Sequence, residues 1–127
     1  MNPLTQFKEI GQAFVTHYYK VFDENRAALL PLYVNDALMT FEGSQIQGPE
    51  NIIKKLISLP FQKIQHVITT FDSQPTLDGQ GVIVFVVGQL KTDEDAPHSF
   101  SQCFYLKPLN GSWFVTNDMF RLSLHHA

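Results

Sequence analysis

Five histidines and one cysteine are the side chains of this 127-residue chain best suited to proton transfer, nucleophilic attack or metal ligation. The histidines are His17, His66, His98, His125 and His126, and none stands in a metal-binding spacing such as His-Glu-x-x-His. No metal and no cofactor is therefore expected. Cys103 has no evident base at hand and reads as a small buried hydrophobe. His66 lies in a strand-like stretch beside Ile64 and Ile68, so alternation gives it the same face as two apolar residues. It is expected as a wall residue; the competing role is proton transfer or metal ligation. Asp72 follows six residues on and shares that face by alternation. Gly79-Gln80-Gly81 lacks the third glycine and the strand–helix context of a nucleotide loop. Asn110-Gly111-Ser112 matches a glycosylation pattern but reads as a turn.

The acidic residues carry a different kind of chemistry. Asp93-Glu94-Asp95 follows directly on an apolar stretch and precedes Ala96-Pro97, which makes it a strand-end loop with three like charges. Such a run does nothing to tighten a fold. Beside an apolar concavity it forms a rim that steers a basic partner. Glu42 closes another apolar stretch, Met39-Thr40-Phe41, and Leu59-Pro60-Phe61 holds an apolar pair in a loop with proline.

The elements that must position these residues follow from periodicity. Asn2 can cap a helix with Pro3 in its first turn, and Leu4, Phe7, Ile10, Phe14, Tyr18 and Val21 then recur at helical spacing to about Asp23. A short helix is expected over 24–30, limited by Pro31, and a strand over 38–41. Pro49 and Glu50 suit the first turn of a third helix, in which Ile52, Ile53, Leu56 and Ile57 face the core and Lys54 and Lys55 face water. Strands are expected over 64–71, 82–90, 100–107 and 113–124, with a hairpin at Asn110-Gly111.

Helices followed by a meander of strands imply one α+β domain over 1–127: a curved antiparallel sheet wrapped on a long N-terminal helix plus two short helices. The run Val82-Ile83-Val84-Phe85-Val86-Val87 does not alternate in polarity, so both of its faces should be covered. A second copy of the chain or a terminal segment would cover the second face; the expectation is a homodimer packed sheet to sheet. The net charge of −3, with Lys54-Lys55 as the only basic pair, argues against nucleic acid as a partner. No apolar run approaches ~18 residues, the N-terminus lacks the regions of a signal peptide, and a single cysteine fits a reducing compartment, so a soluble cytosolic domain without membrane insertion is expected.

Four stretches carry a resemblance. They are His17-Tyr18-Tyr19-Lys20-Val21-Phe22-Asp23, the run from Ser58-Leu59-Pro60-Phe61 to His66, the run from Val86-Val87-Gly88-Gln89 to Asp95, and Thr116-Asn117-Asp118-Met119-Phe120-Arg121-Leu122. The chain resembles the nuclear transport factor 2 family from end to end. The resemblance implies a cone-shaped domain that dimerises through its sheet. It implies a homodimeric carrier of the small GTPase Ran in its GDP form, with a cavity that receives a Phe side chain from Ran. By position the cavity wall would be Phe41, Leu59, Phe61, Ile64, Leu90, Met119 and Phe120. The ionic rim would be Glu42, Asp93 and Asp95, with His66 nearby. Phe-rich nucleoporin repeats would bind at Phe7, with Asp23 close to that patch. The implied location is cytoplasm and nucleus, concentrated at the nuclear pore, and the implied role is not enzymatic. Many members have Trp where this chain has Phe7 and Phe41, and an apolar residue where it has His98 at the cavity lip.

The wider fold superfamily holds many functions. Relatives by fold include dehydratases and isomerases with an Asp or His base deep in the cone, which makes His66 or Asp72 the base of the alternative, enzymatic reading.

Overall fold

The computed structural model describes residues 3–123; Asn2, Leu124 and His125-His126 lie outside the described residues. Helix α1 (Pro3–Glu24) leads into a 3-10 helix (Arg26–Leu32), and helix α2 (Pro49–Ile57) interrupts the strands. The strands are β1 (Tyr33–Phe41), β2 (Ser44–Gln47), β3 (Ile64–Pro75), β4 (Val82–Thr92), β5 (His98–Leu109) and β6 (Ser112–Leu122). They form one sheet in the order β2-β1-β6-β5-β4-β3. The α+β class and the cone-like shape are as expected, with one refinement: β1 pairs with β6 in parallel. The remaining pairs are antiparallel.

The second helix differs from expectation because Asn25 caps it. The Asn25 side chain accepts from the Ala27 amide, and the turn continues past Pro31 to Leu32 in the tighter 3-10 form. Proline has no amide to lose there. In α2, Ile52, Ile53 and Leu56 are buried but Ile57 is 53% exposed, so the apolar stripe is one residue narrower than the sequence suggested. Lys55 does not simply face water: its ammonium lies 5.6 Å from the centre of the Phe41 ring.

The core lies between the concave face of the sheet and the helices. Phe14, Tyr18, Tyr19 and Phe22 of α1 pack against Val82, Val84 and Val86 of β4 and against Phe100 and Phe104 of β5. Phe14 and Tyr18 both meet Phe104 edge-on, with ring centroids 4.9 and 4.8 Å apart. Strand β4 alternates strictly in burial despite its uniform polarity. Val82, Val84 and Val86 are fully buried, whereas Ile83 and Phe85 stand out from the other face. Among the described residues, nothing in the chain covers that convex face. One row across it reads Phe85, Cys103, Met119 and Thr40 on four neighbouring strands.

Candidate functional site

A cavity of about 220 Å³ opens where α1 and α2 diverge over the concave sheet face. Its walls come from α1 (Tyr18, Phe22), β1 (Met39, Phe41), α2 and the loop after it (Leu56, Leu59, Phe61) and the strands (Ile64, His66, Leu90, Gln102, Phe120). Phe41 and Phe120 stack nearly parallel, 4.8 Å apart, because the parallel β1–β6 register sets them side by side. Phe120 stacks in turn on Phe100. The structure thus brings Phe41, Leu59, Phe61, Ile64, His66, Leu90 and Phe120 together around one cavity.

Met119 is a correction. Its side chain is 54% exposed on the convex face, in the row with Phe85 and Cys103. Consecutive strand residues point to opposite sides, so Met119 and Phe120 cannot line one cavity. Asp72 is a second correction. Thr69 is unpaired between Ile68 and Thr70, a bulge that reverses the phase of β3. His66 and Ile68 therefore face inward while Asp72 is exposed on the convex side, opposite Phe85.

His66 is held firmly. Its ring nitrogen Nδ1 lies 2.6 Å from Asp23 Oδ1, and its backbone amide donates to Asp23 Oδ2 at 2.9 Å. The imidazole, with its side chain only 2% exposed, packs against Tyr19, Phe22 and Phe100. Asp23, still 24% exposed, ties the end of α1 to the cavity's histidine.

The rim residues occupy tight turns. Glu42 and Asp93 both adopt left-handed backbone, each at φ 49°, which is uncommon outside glycine. The Glu42 carboxylate accepts the Leu122 amide. Asp93 Oδ1 accepts the amides of Gln62 and Lys63 at 3.1 and 2.9 Å. Part of the charge at the mouth is therefore already engaged by the backbone. Asp95 is exposed, and its amide donates to Thr92 O. His98 is exposed and reaches the lining, so the lip does carry an imidazole.

A polar cluster beneath the cavity was not anticipated. Asp118 is 1% exposed and accepts from Gln102 Nε2 at 2.7 Å and from Tyr33 at 2.8 Å, while the hydroxyls of Tyr18 and Tyr33 lie 2.8 Å apart. Tyr19 donates to Gln102 at 2.6 Å. Burial pushes the Asp118 carboxyl up from 3.8 to about 6, against the pull of hydrogen bonds from Gln102, Tyr33 and, at 3.3 Å, Tyr18. Burial likewise holds Tyr18 and Tyr33 well above the usual phenol range, so both remain donors. Among the described residues no buried side-chain nitrogen or oxygen lacks a partner, and no three potential metal ligands gather. The cavity thus offers shape and apolar surface, with its polar floor already satisfied. No described helix is long and apolar enough to cross a membrane.

Fold and site together define a small α+β cone with an aromatic cavity at its open end. Residues 10–122 match the model of the Nuclear transport factor 2 domain, and the chain belongs to that family. It is 50% identical over 121 residues to Nuclear transport factor 2 of Emericella nidulans, covering 94% of this chain and 97% of that protein. The solved structure of nuclear transport factor 2 from Cryptosporidium parvum superposes with a TM-score of 0.89 at 46% identity, over 97% of this chain and 98% of the other. A putative scytalone dehydratase from Novosphingobium aromaticivorans superposes at 0.79 with 16% identity, over 100% of this chain and 93% of the other, a likeness of fold alone.

Proposed function

We propose that this protein is a homodimeric, non-enzymatic carrier that binds Ran in its GDP form and moves it into the nucleus through the nuclear pore. The observation that carries the reading is the aromatic cavity of about 220 Å³ with Glu42 and Asp93 in the turns beside its mouth. Apolar cavities of about 150 Å³ take up a benzene ring, so this one has room for a Phe side chain. Burying that ring contributes roughly 1.5–3 kcal/mol. Exposed ion pairs between the acidic rim and lysines of Ran add about 0.2–1 kcal/mol each. The sum suits a weak, fast and reversible complex, as a carrier needs.

Two further surfaces complete the reading. The exposed row of Phe85, Cys103 and Met119 is the sheet-to-sheet dimer contact, which supplies the second cover that the apolar strand β4 calls for. Phe7, half-buried on α1 with its carbonyl accepting from Ser73, is the centre of the contact for Phe-rich nucleoporin repeats. A dimer offers two such sites, and their weak affinities combine. The protein would then be found in cytoplasm and nucleus, concentrated at the nuclear pore.

The alternative is an isomerase- or dehydratase-type enzyme with His66 as base, oriented by Asp23. Against it, Asp23 also accepts the His66 backbone amide, so the pair fastens strand to helix whatever occupies the cavity.

The test is calorimetric titration of the purified protein with Ran-GDP, with Ran-GTP as control and Glu42→Lys as the variant. Binding of the GDP form alone, lost in Glu42→Lys with the circular dichroism spectrum retained, is the expected result. Equal binding of both nucleotide states, or an unchanged affinity in the variant, refutes the proposal.

A further inference from the structure

The cavity wall formed by Leu59 and Phe61 belongs to neither a helix nor a strand, because regular structure stops at Ile57 and resumes at Ile64. A loop in this position ordinarily moves. Here two charged side chains grip it. On one side Arg26, from the first turn of the 3-10 helix, donates from Nη1 to Leu56 O at 2.7 Å and from Nη2 to Phe61 O at 3.3 Å. Its guanidinium carbon also sits 4.5 Å from the centre of the Phe61 ring. On the other side Asp93 accepts the Gln62 and Lys63 amides, and its own amide donates to Lys63 O at 2.9 Å. A cation thus ties the last turn of α2 to one carbonyl of the segment, and an anion takes two of the segment's amides.

We propose that Arg26 is a positioning residue for the binding cavity. It holds the Leu59-Pro60-Phe61 wall in its receptive shape, with Asp93 as the opposing half of the clamp. A planar five-donor fork can reach two carbonyls and still stack on a ring, which a lysine cannot do. Fixing the wall beforehand removes an ordering cost from every binding event. The inference rests on the carrier reading above for its partner, but the clamp itself does not depend on that partner.

Electrostatics gives the proposal a sign that separates it from the plain alternative. Arg26 is a cation beside an acidic mouth. If it acted only through its charge, neutralising it would make the mouth more negative and tighten a basic partner. A positioning role requires the opposite.

The experiment uses the full chain with Arg26→Gln, Arg26→Lys and, as a control on a remote exposed cation, Lys107→Gln. In the first arm, hydrogen exchange is read at the amides of Leu59, Phe61, Gln62 and Lys63 without any partner. Arg26→Gln should exchange at least about tenfold faster there, Arg26→Lys by an intermediate factor, and Lys107→Gln as the wild type. Unchanged exchange in Arg26→Gln overturns the clamp. In the second arm, affinity for Ran-GDP should fall about tenfold in Arg26→Gln, the scale of one charge-assisted hydrogen bond, and recover in part in Arg26→Lys. Equal or tighter binding by Arg26→Gln overturns the positioning role. If the wild type itself does not bind Ran-GDP, the carrier reading fails, while the exchange arm still decides the clamp. If Arg26→Gln does not fold, the same two criteria apply to Arg26→Lys.

Discussion

His66 and Asp23 meet at 2.6 Å, side chain to side chain, and again at 2.9 Å through the His66 backbone amide. One carboxylate at the end of α1 thereby fixes both the strand and the ring that lines the cavity. A residue on the outer surface of the helix is mechanically part of the cavity wall.

Replacing Asp23 with Ala should therefore weaken binding at the cavity although Asp23 is not among its lining residues. Stability should fall by about 1–3 kcal/mol through the loss of two hydrogen bonds, one with a buried imidazole. Asp23→Asn keeps an acceptor and should lose less. Urea unfolding together with Ran-GDP titration of the two variants checks both points; equal losses in Ala and Asn would contradict them.

The convex face supplies a second expectation. Phe85 is 43% exposed at one end of the outward-facing row it forms with Cys103 and Met119. Phe85→Lys should leave the monomer folded, since the side chain faces away from the core, and should abolish self-association. Sedimentation velocity is the measurement, with a wild-type dimer and a variant monomer as the expected pair of masses.

Buried Asp118 makes stability depend on pH in a direction opposite to most carboxylates. Its folded-state value near 6 lies above the ordinary 3.8. The neutral acid is favoured in the fold, so its contribution is complete below about pH 4 and is lost as pH rises through about 6. A shift of about two units corresponds to about 3 kcal/mol. The stability of the wild type minus that of Asp118→Asn should thus fall by that order between pH 4 and 7. Denaturant unfolding of the two proteins across that range tests it, and a difference independent of pH would rule it out.

Gly88 is required for space. A Cβ added there would lie 2.5 Å from the Val67 carbonyl oxygen and 3.1 Å from the Phe100 ring. A backbone oxygen beside a bulge has no free direction in which to yield. Gly88→Ala should cost about 1–3 kcal/mol, the usual penalty of overpacking, measured by urea unfolding.

Much of this was legible in the chain. Helical spacing gave α1, the uniform apolarity of β4 marked a strand whose outer face is also apolar, and Asn110-Gly111 gave the last hairpin. What escaped has a common cause. Strand alternation carries no information about where it is interrupted, so the unpaired Thr69 moved Asp72 to the wrong face. Position along a motif does not give side-chain direction, so Met119 was grouped with its neighbour Phe120. Arg26 and Asp118 act on groups thirty or more residues away or buried beside other polar side chains, and no local pattern announces such partners. The acids at Glu42 and Asp93 were visible as charges, but not as acceptors for backbone amides.

Strand β6 is the last element of the described chain, yet it lies between β1 and β5 in the sheet. A ribosome delivers it after every other part of the cavity. Until then Phe41 lacks the ring it stacks on, Glu42 lacks the amide it accepts, and β1 has no inner neighbour. The elements that precede β6 are the three helices, the β1–β2 hairpin and the β3-β4-β5 meander, and without β6 they enclose no receptacle. The receptacle therefore forms only once β6 has been added.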